Sequence, residues 1–243
     1  KGLGTPVEVF RVVSIAARAS RFEALSVSGL TPFVGRESEV AMLRDRWAQA
    51  KEGEGQVVLL EGEPGIGKSR ITQVLREQVA QESHHRLRYQ CSPYHTNSAF
   101  YPIIRQFDHA AGIGRDDTPD QKLDKIETIL KLSADDVDVV AALFAKLLSL
   151  HSDRYPPLDL SPDEQRDTIV ETFVKQVDGM ALTRPVLMIL EDAHWVDPTT
   201  LDVFSNVIER IAERPVLLVI TFRPEFEPPW PAGGNVTAHT LTR

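Results

Sequence analysis

The sequence predicts an α/β fold with a parallel five-stranded sheet flanked by helices. Two continuous apolar runs, at residues 186–190 and 216–220, are typical of central parallel strands that are covered on both faces. Helical patterns alternate with the strand patterns along the chain, which favours a parallel sheet with right-handed crossovers. The 243 residues, of which 42% are hydrophobic and 26% charged, are enough for one large domain with a sizeable core.

The five strands are predicted over residues 56–61, 86–91, 186–190, 216–220 and 236–241. A helix over residues 37–50 precedes the first strand, because Val40, Leu43 and Trp47 recur at helical spacing. The glycines that follow this helix end it before the strand begins.

A helical insertion is predicted between the second and third core strands. Thr118 and Ser161 each provide a capping hydroxyl that is followed by a proline, with Gln121 or Glu164 at the third helical position. Asp197 starts a further helix after the third strand in a similar way. The amphipathic patterns between these starts are explained by packing against the sheet and against neighbouring helices.

The stretch GEPGIGKS lies between the first strand and a helical pattern, which is the setting of a phosphate-binding loop. Its glycines allow positive φ angles, so successive N–H groups can point at an anion. Lys68 would reach the β- and γ-phosphates, and the Ser69 hydroxyl would ligate Mg²⁺. The alternative is an ordinary glycine turn beside a surface lysine. The candidate nucleotide-binding residues of this segment are Gly62, Glu63, Pro64, Gly65, Ile66, Gly67, Lys68, Ser69 and Arg70.

Two adjacent acids, Glu191 and Asp192, follow the strand predicted over residues 186–190. Acids at that strand end can face the magnesium ion and the attacking water of a phosphate-binding loop. One acid can hold the metal, mostly through water, while the other orients or deprotonates the nucleophile. The alternative is a pair of solvated carboxylates in a turn.

A third polar site, TFRPE, follows the strand over residues 216–220. Thr221 and Arg223 could sense the γ-phosphate or its hydrolysis, since arginine can bridge two phosphate oxygens. A surface ion pair between Arg223 and Glu225 is the alternative interpretation. His194 and Trp195, just after the acids, are interpreted as packing residues.

The composition limits the classes of partner. A net charge of −8 argues against a large sequence-independent nucleic-acid surface, which normally shows clustered Lys and Arg. No apolar run approaches the length of about 20 residues that a membrane span requires. Cys91 is the only cysteine, which indicates a reducing, cytoplasmic setting and a buried inert thiol.

The phosphate loop and its companions resemble a known family, the signal-transducing (STAND) relatives of AAA-type ATPases found in large bacterial regulators and class III nucleotidyl cyclases. The blocks that carry the resemblance are FVGRESE, GEPGIGKS, CSPYHTNSAFYP, LEDAHWVDPTTLD and TFRPE, which together extend over positions 33–225. The resemblance implies a P-loop NTPase domain over residues 33–243, with ATP and Mg²⁺ as cofactors.

The resemblance also assigns roles to individual residues. It implies that Val34, Gly35 and Arg36 contact the nucleotide's base. It places a magnesium-coordinating acid at Glu191, where the family often has Asp, and a water-activating acid at Asp192. ATP rather than GTP is expected on this ground alone.

The first residues resemble the last strand of a class III cyclase domain. Residues 1–13 are expected to be the terminal strand of a preceding cyclase-like domain, since residues 5–13 alternate apolar and polar positions, and residues 14–32 are expected to form a linker. None of the cyclase's metal-binding acids is present in this segment, so the chain is not expected to make cyclic nucleotides.

The expected function is an ATP-binding, slowly hydrolysing switch module of a multidomain signalling protein, attached to a cyclase or another output domain. Homo-oligomerisation is compatible with this function. Three alternatives stay open: a non-hydrolysing nucleotide-binding scaffold, a DNA-loading ATPase similar to origin-recognition proteins, and, ranked last, a metabolite kinase.

Overall fold

A computed structural model describes residues 33–114, 116–131, 136–150, 153–155 and 158–242. The internal contacts divide the chain into two units, Lys1–Val34 and Gly35–Arg243, and the second unit forms the α/β fold. The strand predicted over residues 5–13 and the linker predicted over residues 14–32 lie outside the described residues.

The five predicted core strands and the helix predicted over residues 37–50 are confirmed, with ends that differ from the prediction by at most two residues. In chain order the described elements are α1 (Glu37–Lys51), β1 (Gln56–Glu61), α2 (Lys68–Gln78), β2 (His85–Gln90), α3 (Tyr101–Ala110), α4 (Pro119–Leu130), α5 (Val137–Leu147), α6 (Pro162–Ala181), β3 (Val186–Glu191), α7 (Pro198–Arg210), β4 (Val216–Phe222) and β5 (Val236–Thr240). Two short 3₁₀ turns, Ala193–Trp195 and Ile211–Glu213, flank α7.

The sheet has the strand order β2-β3-β4-β1-β5. The four strand pairings among the described residues are parallel. Ile220 of β4 pairs with Leu59 of β1 on one side and with Leu190 of β3 on the other. The carboxyl ends of β1, β4 and β3 therefore lie next to one another, and this edge is where parallel sheets usually bind ligands.

The central strands are fully enclosed. Every residue of β3 and of β4 is buried, as the two apolar runs predict. Helix α1 packs against β1 and β4, while α3 packs against β2 and α6 against β3. The inner face of α1, with Val40, Leu43 and Trp47, is buried as expected.

The insertion between β2 and β3 comprises α3 to α6 and has a small core of its own. Thr118 and Ser161 cap α4 and α6 through reciprocal bonds with Gln121 and Glu164, so both predicted capping boxes are present. Helices α4 and α5 bury a separate apolar cluster made of Phe107, Leu123, Ile126, Leu130, Val140, Ala141, Phe144 and Ala145. Those two helices thus need little contact with the sheet.

Gly55 permits a close backbone contact between the start of β1 and the turn after α7. Its N–H group donates to the carbonyl oxygen of Ala212 over 3.0 Å. A Cβ atom at this position would lie 1.7 Å from the carbonyl oxygen of Ile211. Because both partners are backbone, no side-chain rotation can relieve the overlap.

We predict that Gly55→Ala lowers the free energy of unfolding by at least about 2 kcal/mol, because the strand or the turn must shift to admit the methyl group. Urea denaturation measures this change. Gly114→Ala is the matched control, since its Cβ atom would make only an ordinary contact of 3.5 Å with the Asp117 carboxylate. Equal stability of the two variants would contradict the prediction.

Candidate nucleotide-binding site

The loop between β1 and α2 has the backbone geometry of an anion cradle. Gly65 and Gly67 have φ angles of +78° and +109°, which side-chain-bearing residues rarely adopt. At Gly62 a Cβ atom would approach the Ile66 side chain to 2.8 Å. Because α2 begins at Lys68, its first-turn N–H groups lack intrahelical partners and carry the positive end of the helix dipole.

Lys68 is folded over this loop. Its ammonium group donates to the carbonyl oxygens of Gly62 and Glu63, and only 8% of the residue is exposed. Burial, and then the charge of Arg223, lower the pKa of Lys68, while Asp192 and the glutamates nearby act in the opposite direction. The predicted phosphate-binding lysine is therefore within electrostatic reach of Asp192 and Arg223.

The other predicted loop residues form the outer rim. Glu63, Pro64 and Gly65 are exposed, and Ser69 and Arg70 are half-buried at the start of α2. The Ser69 carbonyl oxygen accepts from the Thr72 hydroxyl over 3.1 Å.

The acidic pair lies beside β4 and therefore next to the phosphate loop. Asp192 has the left-handed angles φ 57° and ψ 44°, which end β3 abruptly and which Asp tolerates better than most residues. Its N–H group donates to the Thr221 hydroxyl at the end of β4 over 3.1 Å. The structure thus brings Asp192, Thr221 and Lys68 to one edge of the sheet.

Glu191 has a partner that the sequence analysis missed. Its carboxylate accepts from Arg88 of β2 through Nε at 3.2 Å and Nη2 at 2.8 Å, and the Thr72 hydroxyl lies 3.5 Å away. The side chains of Glu191 and Arg88 are 2% and 13% exposed. The only sequence signal is a basic residue placed between the buried Leu87 and Tyr89 of a strand. A guanidinium therefore already balances the charge of the acid predicted to ligate magnesium.

The oxygen donors fit a magnesium ion that is held together with a nucleotide. Within the described ranges, no group of three or more His, Cys, Asp or Glu side chains could hold a metal ion. Mg²⁺ usually takes one or two carboxylates plus substrate phosphates and water. The Ser69 hydroxyl and the acidic strand end match that incomplete set.

Arg223 is held on the face of an aromatic ring. Its guanidinium carbon lies 4.8 Å from the ring centroid of Trp195. The Glu225 carboxylate is 3.7 Å away, beyond hydrogen-bond distance, so the predicted surface ion pair is present but loose. The rings of Trp195 and His194 are themselves 4.3 Å apart with an interplanar angle of 47°.

His194 is a half-buried residue between Asp192 and Trp195. Both ring nitrogens are shielded from solvent, and neither has a hydrogen-bond partner among the described residues. Burial lowers the pKa of His194, and the neighbouring charges of Arg223 and Lys68 act in the same direction against Asp192 and Glu225. Packing accounts for the ring's contact with Trp195 but not for its two nitrogens, which have no partner among the described residues.

Asp197 joins two loops at the same edge of the sheet. Its buried carboxylate caps α7 by accepting from the N–H and hydroxyl of Thr200. The same carboxylate accepts from the N–H group of Phe100, at the end of the loop that follows β2. Cys91 begins that loop; it is buried as expected, at 2% exposure, and burial raises its pKa.

The block predicted to contact the base has its own partners. Arg36 pairs with Glu39 over 2.7 Å and donates to the carbonyl oxygen of Thr242, beyond β5. The N–H group of Gly35 donates to the Glu37 carboxylate, and Val34 is 77% exposed. Contact between these residues and a nucleotide base stays a prediction.

A relative of the chain is known from a bacterium. An uncharacterized protein of Rhizobium meliloti (strain 1021) is 27% identical over 241 residues, which cover 99% of this chain and 23% of that relative. The chain therefore spans about a quarter of the relative's length.

No helix among the described residues has both the length and the apolar character needed to cross a membrane.

Two solved structures resemble the chain at low sequence identity. Cdc6p from Pyrobaculum aerophilum is 14% identical with a TM-score of 0.44, covering 89% of this chain and 48% of that one. A Drosophila ORC structure bound to DNA is 12% identical with a TM-score of 0.40, covering 86% and 43%.

The family assignment rests on the sequence profile and on the architecture described above. The profile of the AAA ATPase domain family matches residues 32–220, which include the phosphate loop, the acidic strand end and the first five residues of β4. With its parallel five-stranded sheet and helical flanks, the chain belongs to the AAA ATPase domain family.

Proposed function

We propose that this domain binds ATP with Mg²⁺ at the loop Gly62 to Ser69 and hydrolyses it slowly. The observation that carries the proposal is the position of Lys68, which is buried and donates to the carbonyl oxygens of Gly62 and Glu63 directly after β1. The end of β1 pairs with the end of β4, which leads to Arg223. A triphosphate would satisfy the N–H groups at the start of α2 and would balance the two cations.

Each residue of the site would have a role in binding or hydrolysis that follows from its position. Lys68 would release the loop carbonyls that it now contacts and donate to the β- and γ-phosphates. Ser69 would hold the metal directly and Glu191 mostly through water, and the metal would supply charge neutralisation to the phosphates when bound. Asp192 would orient or deprotonate the attacking water, and Thr221 with Arg223 would distinguish the nucleotide states.

The wider role that we propose is that of a switch in a multidomain signalling protein of the STAND type, attached to a nucleotidyl cyclase or another output domain. The resemblance of the sequence blocks to that family supports it, as does a match covering only 23% of a longer relative. A switch requires contacts that differ between nucleotide states, and Arg223 at the end of β4 is suited to provide one.

Replacing Lys68 tests the binding site itself. We expect Lys68→Ala to weaken ATP binding at least about tenfold, because each charge-assisted hydrogen bond is worth about 1.5–3 kcal/mol. Isothermal titration calorimetry measures the affinity, and thermal unfolding checks that the loop still folds. Lys131→Ala, on an exposed residue after α4, is the control and should leave the affinity unchanged. Equal ATP affinity of the Lys68 variant and the parent protein would refute the assignment.

Replacing Asp192 tests the chemical step. Asp192→Asn keeps the size of the side chain and the backbone bond to Thr221, so ATP binding should stay nearly intact. Phosphate release should fall by about 100-fold or more if the carboxylate acts as the base. A phosphate-release assay measures this, with Asp120→Asn on the exposed first turn of α4 as the control. Unchanged turnover would remove Asp192 from the mechanism.

The non-hydrolysing scaffold remains the competing function, and single-turnover measurements separate the two. The scaffold requires ATP to stay intact on the parent protein over many hours. Hydrolysis that Asp192→Asn abolishes would instead support the switch.

A further inference from the structure

The contact between Arg223 and Trp195 orients the Arg223 side chain, which has few other contacts among the described residues. The guanidinium lies over the indole face at 4.8 Å from the ring centroid. The side chain of Arg223 is 30% exposed, and the Glu225 carboxylate is too distant for a hydrogen bond. An arginine in such a position would ordinarily sample many rotamers, and ordering it costs free energy.

The contact with the indole ring leaves hydrogen-bond donors of the guanidinium available. A cation–π contact needs no hydrogen bond, and the five N–H donors of arginine lie in the plane of the group. Trp195 can therefore hold Arg223 without competing with an anion for those donors. Among the described residues, the ion-pair partner with which a phosphate group would compete is the carboxylate of Glu225.

Trp195 is itself firmly placed. It lies in the 3₁₀ turn that follows Asp192, and its backbone N–H group donates to the Asp192 carbonyl oxygen over 2.9 Å. Its side chain packs against the main hydrophobic core. The hydrogen bond from Asp192 to Thr221 ties this turn to the end of β4, the strand that leads to Arg223. The indole and the guanidinium thus belong to one connected edge of the sheet.

We propose that Trp195 is a positioning residue for nucleotide discrimination: its indole face holds Arg223 where the third phosphate of a nucleoside triphosphate would meet it. Trp195 then favours a triphosphate over a diphosphate without touching either ligand. This inference rests on the proposed ATP site, and it adds to it the residue that sets the preference.

The test compares two nucleotides on matched variants. The affinities of ADP and of a non-hydrolysable ATP analogue, both with Mg²⁺, are measured by calorimetry on the parent protein, Trp195→Leu, Trp195→Phe and Arg223→Gln. We expect Trp195→Leu to reduce the preference for the triphosphate about 2- to 5-fold while the ADP affinity stays unchanged. Trp195→Phe keeps an aromatic face and should lose less.

A double-variant cycle separates positioning from general damage. If Trp195 acts through Arg223, then Trp195→Leu has no further effect on the preference once Arg223→Gln is present. An equal loss of affinity for both nucleotides in Trp195→Leu, or a full effect in the Arg223→Gln background, would overturn the proposal.

Fluorescence gives a readout that needs no nucleotide. Trp47 and Trp230 are 2% and 7% exposed, so acrylamide quenching reports mainly on the partly buried Trp195. Arg223→Gln should increase the quenching because the indole face loses its cover. Arg223→Lys should produce a smaller increase, because lysine lacks the planar group. Unchanged quenching in both variants would overturn the contact between Arg223 and Trp195, even if Trp195→Leu failed to fold.

The outcomes distinguish this inference from the proposed function. A parent protein that binds neither nucleotide removes the ATP site and the positioning role together. A parent protein that binds both nucleotides through Lys68 but does not prefer the triphosphate removes only the role of Trp195.

Discussion

The parallel register of β1, β4 and β3 is the constraint on which the candidate site depends. Because β4 lies between the other two strands, its end bridges the phosphate loop and the acidic pair. The Thr221 hydroxyl forms the direct contact between β4 and the acidic pair, because it accepts a hydrogen bond from the backbone N–H group of Asp192. A one-residue slip of β4 would turn Thr221 to the opposite face of the sheet and break the connection.

The pair of Arg88 and Glu191 shows how the same edge accommodates a buried charge. A lone carboxylate at 2% exposure would be costly, and the guanidinium from the neighbouring strand offsets that cost with two hydrogen bonds. The consequence is a division between the two acids: Glu191 is tied to the sheet, while Asp192 stands on a left-handed turn beyond it.

The sequence predicted the elements well because each had a local cause. Apolar runs marked β3 and β4, and hydroxyl caps followed by proline marked α4 and α6. The phosphate loop was recognisable because its glycines occupy positions where the backbone needs positive φ angles. The partners of the site could not be predicted in this way. Arg88 contacts Glu191, which is 103 positions further along the chain, and Trp195 contacts Arg223, which is 28 positions further. Such contacts depend on strand order, which no local pattern encodes.

The buried carboxylate of Asp197 has a consequence for how the acidic turn can move. Residues 192–197 are fastened at one end to Thr221 and at the other to Phe100 and the start of α7. A short span clamped at both ends cannot swing as a flap. Any rearrangement there must carry the loop after β2 and the first turn of α7 with it, so a small displacement beside the phosphates would be transmitted as a rigid-body shift of neighbouring segments.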